Sequence, residues 1–408
     1  MRKIVILFVF FVLAPLSASA LNFDLEIEGQ ASSYFYEEEE VPLEEDERYY
    51  GEAEVILPAR LNANNWELLL EPRIRVDSEE ISQGGEDPRD FRRPIVGVRE
   101  AYFAFWQEKL ELRLGYQIAD WSMTDTVSPS DNLNPLDLTL IPDWERRSIP
   151  LVTARYGYDT YLEAAYKPFF SPSFLPDFKW KREKEGVEFL KQKEEEDKAQ
   201  FALRAGGIFW GTDWQICYYQ GYADSPYAEV ERLTLSGVEL RPRYSEEEVG
   251  SLGLARDVFA GVVFRAEAGY FSQDYGDDFY QYVVGLEKHW QSALSLGDEL
   301  FFLVQYSGEE VAEEDEEITP LTDFRRIFRD CLLVKAYYQF GRGSHWRLKV
   351  RGSYNLENYD SFWEPALEWK GDHFSCELGA QVIDGPEESF WGGYKENDCI
   401  FLKTKIKF

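Results

Sequence analysis

The chain has 408 residues, 76 of them acidic against 43 Lys and Arg, a formal net charge of -33, with 44% apolar and 16% aromatic side chains. The lack of any sustained basic stretch excludes a phosphate-reading surface and so a nucleic-acid partner, and 12 Trp, 25 Tyr and 29 Phe exclude disorder. Beyond position 16 no apolar run approaches the roughly 18 residues of a spanning helix, which excludes a helical membrane protein.

The opening MRKIVILFVFFVLAPLSASA sets Arg2 and Lys3 before an apolar run over 4–13 and ends in Ala18 and Ala20. That is the pattern of a secretory signal with an A-x-A cleavage site, which assigns 1–20 to a signal peptide and 21–408 to one domain. Cys217, Cys331, Cys376 and Cys399 are widely spaced and form no CxxC pair, so neither a disulfide framework nor a zinc cluster is expected. His289, His345 and His373 stand apart from one another, each close to a turn.

From residue 22 onward, apolar and polar residues alternate in segments of about nine to fourteen residues, the period of half-exposed strands. In NNWELLLEPRIRVD one face carries Trp66, Leu68, Leu70 and Ile74, and the other carries Glu67, Glu71, Arg73 and Arg75. KLELRLGYQI repeats this with Leu110, Leu112 and Leu114, and HWRLKVRGSYN with Trp346, Leu348 and Val350 opposite Arg347, Lys349 and Arg351. Strands are predicted at 22–36, 48–60, 64–77, 95–106, 109–118, 149–158, 160–168, 200–210, 213–223, 248–257, 261–272, 278–290, 299–307, 326–340, 344–356, 359–370, 373–383 and 395–408. That makes eighteen, or sixteen if the short segments 248–257 and 299–307 fail; RLTLSGVEL at 231–239 reads as an extra hairpin arm inside a loop.

The connections alternate between tight turns, such as QEK, GTD, GRG and KGD, and long polar segments at 37–47, 78–94, 119–148, 169–199, 224–247, 308–325 and 384–394. Short turns at one end and long loops at the other predict an all-β transmembrane antiparallel up-and-down β-barrel with short periplasmic turns and long extracellular loops. Aromatics crowd the tight-turn end, as in FAFW, IFWGTDW and YYQFGRGSHW, where a girdle meets the headgroups. Most of the acid surplus falls in the long connections, so the net charge by itself does not predict a cation-selective lumen.

A barrel with both ends on one side closes its last strand against its first. The expected seam is a ladder of Asp24, Glu26 and Glu28 with Lys403, Lys405 and Lys407. A barrel of sixteen to eighteen strands encloses a water-filled channel unless it is plugged. Its lining is expected from Glu52, Glu54, Glu67, Glu71, Arg73, Arg75, Glu111, Arg113, Glu163, Arg204, Arg265 and Glu267, either as selecting charge or as cross-strand pairs stiffening a wet wall. In the 119–148 loop, Asp120, Asp125, Asp131, Asn132, Asn134, Asp137 and Asp143 are candidates for an inward constriction. Their irregular spacing fits no EF-hand, and Asn132, Asn134 and Pro135 suit Asx-type turns, so no metal and no cofactor are expected.

REAYFAF, LRLGYQIADWSMTD and SPSDNLNPLDLT, followed by PFFSPSFLPD and FRAEAGYF, occur in order over about 99–271. Together they resemble a large, mostly uncharacterised family of porin-like proteobacterial outer-membrane barrels. One departure is Ser122, where that family usually carries Gly after the Trp. The ending IFLKTKIKF resembles that of bacterial outer-membrane barrels, whose terminal aromatic, here Phe408, serves as an assembly signal. The resemblance implies a channel-like barrel and supplies neither a solute nor proven functional residues.

The function expected is a porin-like channel for passive or selective diffusion of small hydrophilic solutes or ions across the outer membrane of a Gram-negative bacterium. Its partners are lipid, lipopolysaccharide, the barrel-assembly machinery and the solutes, with a homo-oligomer left open. The alternative is a surface structural or adhesive barrel whose acidic loops contact partners or lipopolysaccharide. No enzyme is expected, because the histidines fall near tight turns, far from the long loops where a nucleophile and base would meet a substrate.

Overall fold

Alternation with period two puts apolar side chains on one face of each segment and polar ones on the other. A closed sheet then sorts the two sets between its outside and its lumen. The computed structural model describes residues 22–36, 49–78, 94–176, 180, 187–189, 199–233, 238–314, 325–341 and 343–408. The signal segment 1–20 and the connection 37–47 lie outside the described residues, as do most of 78–94, 169–199 and 308–325.

Among the described residues, eighteen antiparallel strands form one closed sheet. β1 is Asn22–Leu25 continued by Glu28–Tyr36, and β2 is Tyr49–Ile56 continued by Ala59–Ala63. Then follow β3 Trp66–Asp77, β4 Val96–Gln107, β5 Leu110–Gln117, β6 Ile149–Gly157, β7 Thr160–Lys167, β8 Gln200–Phe209 and β9 Thr212–Tyr222. The second half is β10 Glu246–Phe259, β11 Val262–Gln273, β12 Asp278–Gln291, β13 Glu299–Glu313, β14 Cys331–Gln339, β15 Trp346–Asn355, β16 Ser361–Lys370, β17 Phe374–Asp384 and β18 Cys399–Lys407. Each strand pairs with the next, and β18 returns to β1, with Glu28 opposite Lys407 and Tyr36 opposite Cys399. Both short strands in doubt belong to the barrel, which settles the count at eighteen.

The outer face is apolar: Leu114, Leu203, Leu252, Leu286, Leu348, Leu378 and Ile400 are exposed. On the opposite face of the sheet, polar residues point inward and are buried, including Glu54, Glu163, Gln215, Glu267 and Glu364 of β2, β7, β9, β11 and β16. No helix among the described residues is long and apolar enough to cross a membrane. At the tight-turn end, Trp210–Gly211 and Ala260–Gly261 each hold two successive positive φ angles, 50° with 71° and 50° with 75°. These are type I′ corners, which match the twist of paired strands. Trp210 and Phe259 at these corners are 83% and 74% exposed, a position suited to an interfacial girdle.

Three boundaries differ from the sequence reading. β13 runs on to Glu313, because its extension buries Glu309 against Arg326 rather than an apolar side chain, which masks the alternation. β14 and β18 start later, at Cys331 and Cys399, since Phe328 and Tyr394 are drawn into the lumen core instead of the sheet. The hairpin arm at 231–239 does lie in a loop: Tyr227–Leu233 pairs with Val238–Arg243, and Val187–Phe189 adds alongside in parallel.

The seam also differs. Lys407 meets Glu26 at 2.6 Å and Glu28 at 3.1 Å, but Lys405 stands opposite Gln30 and Lys403 opposite Ser32. Asp24 pairs instead with Arg60 of β2. The cause is the stagger of a closed barrel: β18 ends with Phe408 bonded to Ile27, so the start of β1 overhangs it.

The apolar belt predicts that Leu112→Arg or Leu348→Arg costs roughly 2–4 kcal/mol near a bilayer midplane. Folding titrations into lipid vesicles check this, and an unchanged folding free energy would place those faces away from lipid.

Candidate functional site

Between β5 and β6 the chain leaves the wall at Ile118 and returns at Ser148, and this loop crosses the lumen instead of standing above it. Its two stems are tied by Asn134. The side-chain carbonyl of Asn134 accepts from the Ala119 N–H at 2.8 Å, and its amide donates to the carbonyls of Gln117 at 3.1 Å and Arg147 at 2.8 Å. Asn132 donates to the Pro129 carbonyl at 2.9 Å, closing a local turn.

The loop reaches three arcs of the wall. On the first arc, Arg75 of β3 lies 3.3 Å from Asp137, 3.0 Å from Glu145 and 2.9 Å from Glu54. Asp137 also accepts from the Thr139 hydroxyl at 2.7 Å. On the second, Trp121 donates its indole N–H to Glu163 of β7 at 3.2 Å and lies beneath the guanidinium of Arg204, 5.0 Å from the ring centre. Glu267 of β11 accepts from the Met123 N–H and the Thr124 hydroxyl, both at 2.6 Å, and Gln215 of β9 donates to the Trp121 carbonyl at 2.6 Å. On the third, Asp125 meets Lys335 of β14 at 3.0 Å.

Asp143 makes the densest contact on that third arc. It accepts from the Tyr34 hydroxyl at 2.7 Å, from Arg351 at 2.8 Å and from Lys403 at 2.9 Å, and so joins β1, β15 and β18. Burial alone would raise its carboxyl, but the two cations and the phenol outweigh it and hold the group below the usual carboxylate range. Asp131 has the opposite balance. Desolvation outweighs the neighbouring Arg146, Asp120 adds repulsion, and the carboxyl is pushed up to about 6.

Apolar residues seal the crossing. Leu138, Leu140 and Ile141 pack with Tyr34, Phe362 and Phe401 of the wall, and Trp180, Phe328, Trp391 and Tyr394 from other loops join the same cluster. Trp391 stacks on Phe362 with ring centres 4.8 Å apart, and Phe328 meets Trp144 edge-on at 5.4 Å. Two cavities remain beside the loop. One of about 330 Å³ lies against β9–β16 and includes Asp125, Asp131, Lys335 and Arg351 in its lining; the other, about 780 Å³, lies against β1–β5 and β18 and includes Glu28, Glu54, Arg73 and Arg99.

The expected lining residues occur as pairs. Each of Arg73, Arg75, Arg113, Arg204 and Arg265 lies within 3.4 Å of a carboxylate, respectively Glu54, Glu54, Glu111, Glu163 and Glu287. Glu71 is held by Arg99 at 2.7 Å, Glu67 accepts from Tyr102 at 3.3 Å, and Glu52 stands opposite Ser32 and Asp77. Ser122 uses the hydroxyl that a glycine would lack to bond Asp120, itself 3.5 Å from Arg146. Arg99, Arg146 and Arg351 were missed, as were the partners of Asp143, which turns inward as expected. The Arg146–Arg147 pair was visible as the only cations of the 119–148 segment, and Arg351 and Lys403 as the inward face of their strands. The three histidines lie at the tight-turn end: His345 and His373 contact the Lys370 and Lys407 carbonyls, and His289 contacts Tyr337.

No family model matches the chain, and no curated protein matches it. Its fold is similar to those of outer-membrane β-barrels. It resembles a BenF-like porin from Pseudomonas fluorescens Pf-5, with TM-score 0.53, 9% identity, and 95% of this chain and 98% of that one covered. OccK5 (OpdH) of Pseudomonas aeruginosa gives TM-score 0.53 at 8% identity, covering 95% and 97%. Wzi, a carbohydrate-binding β-barrel involved in group 1 capsule assembly in Escherichia coli, gives 0.53 at 10% identity, covering 94% and 84%. The likeness is one of fold: a porin-like barrel.

Two predictions follow from the opposed carboxyls. Asp143→Asn leaves Lys403 and Arg351 facing a neutral amide and is expected to cost on the order of 3 kcal/mol, read from denaturant unfolding in lipid. Asp131 contributes the opposite pH dependence to Asp143. Its raised value means that the native state takes up a proton as pH falls through about 6 and gains stability below it, whereas the Asp143 clamp stays ionised there and is lost only in strong acid. Carbon NMR of labelled aspartate carboxyls is expected to show a titration near pH 6 that disappears in Asp131→Asn.

Proposed function

We propose that the protein is a porin-like channel of the outer membrane, passing small hydrophilic solutes or ions. The single observation that carries this reading is a lumen crossed by an anchored polar loop, with cavities of about 330 and 780 Å³ on either side. The outward apolar belt and the fold's likeness to porins support placement in an outer membrane, with lipid and lipopolysaccharide around the belt and loops. The local resemblance of 99–271 to an uncharacterised porin-like family points the same way. Because the wall arginines Arg75, Arg204 and Arg265 are each matched by a carboxylate, the proposed pore is narrow and only weakly charge-selective. The reading is non-enzymatic.

A second reading is favoured by the apolar cluster in the lumen, where Trp180, Phe328, Trp391 and Tyr394 meet the crossing loop. A barrel sealed at that level would serve as a surface structural or adhesive element, its loops contacting partners or lipopolysaccharide.

Reconstitution into a planar bilayer separates the two. The channel reading expects stepwise conductance from heat-modifiable, folded protein. Folded protein that is electrically silent would overturn it and leave the sealed barrel.

A further inference from the structure

The two cavities touch the crossing loop from opposite sides, and among the described residues Arg146 alone lines both. Its backbone is fixed by pairing with Leu136 in a short ladder inside the loop. Its guanidinium ties the loop to itself: Nε donates to Asp131, and a terminal nitrogen lies 3.5 Å from Asp120 and from the Ser122 hydroxyl. The Asp131 side chain is 7% exposed and acts as a rigid anchor, whereas that of Arg146 is 31% exposed. The position differs from that of the wall arginines. Arg75, Arg204 and Arg351 stand along the sides of the lumen, while Arg146 stands between its two open volumes.

We propose that Arg146 is the partition of the channel, the side chain that separates the two chambers and sets the charge at the passage between them. The proposal rests on the channel reading. A solute moving from one chamber to the other at this point has to pass the guanidinium, and the local charge there is small only because Arg146 is set against Asp120 and Asp131. Removing the side chain would widen the passage and take its positive charge away from beside Asp120, so size and charge selection would change together. Lysine in its place would keep the charge but lose the flat group that meets Asp131, Asp120 and Ser122 at once.

The test compares wild type, R146A, R146K and the double variant R146A/D131N in planar bilayers, with folding checked by heat-modifiable mobility. The double variant removes the buried carboxylate together with its cation, so it remains informative if R146A alone fails to fold. The expected result is a step conductance at least about twofold above wild type in R146A and in the double variant. The reversal potential in a salt gradient moves toward cation preference in R146A, less in the double variant, and stays near wild type in R146K. A folded but silent wild type overturns the channel reading, and the partition falls with it whether or not a variant conducts. If wild type conducts and R146A and the double variant keep its conductance and reversal potential, the partition is wrong and the channel stands. If all four are silent although folded, both fall.

Discussion

Charge turned inward by the wall of a wide barrel has to be matched inside it, and here the loop between β5 and β6 supplies much of the match. Asp137, Asp125 and Asp143 each meet a cation on a different strand, Arg75, Lys335 and either Arg351 or Lys403. The energies are unequal. Lys335 and Asp125 are 52% and 36% exposed, so that contact contributes little beyond position. Arg75 and Asp137 are 6% and 3% exposed, where loss of either partner strands a buried charge. The loop is therefore held most firmly at Asp137 and Asp143, and its apolar residues between them, Leu138, Leu140 and Ile141, are carried into the core of the lumen.

This arrangement separates two properties that composition merges. The chain is strongly acidic, with a net charge of -33, yet arginines of the wall interior are set against carboxylates of the wall and of the crossing loop. Acidity thus describes mainly the long connections of the sequence, while the interior carries both signs.

The strands were legible because their signal is local: period two, a tight corner, and the next strand. Trp210–Gly211 and Ala260–Gly261 show how few residues a corner needs. The seam was only half legible. That lysines would meet acids at the closure could be read from the two termini, but the stagger that gives both Glu26 and Glu28 to Lys407 is a property of the whole sheet. The clamp was not legible at all, since Asp143 lies 208 residues from Arg351 and 260 from Lys403, and nothing local distinguishes it from Asp120. The short stretch WERRS held more information than its length suggested, because two cations in an acidic loop are placed there to hold something: Arg146 holds Asp131, and Arg147 donates to the Pro172 carbonyl and stacks on Phe174 at 3.3 Å.

The central claim is that the loop lies inside the barrel, tied to the wall by its carboxylates. Zero-length carbodiimide coupling of the lipid-inserted protein, followed by peptide mass spectrometry, tests it directly at an accessible contact. The account predicts an amide between Asp125 and Lys335, whose carboxylate and ammonium lie 3.0 Å apart across 210 residues of sequence. A folded barrel in which Asp125 couples freely to added amines, and never to Lys335, would contradict it.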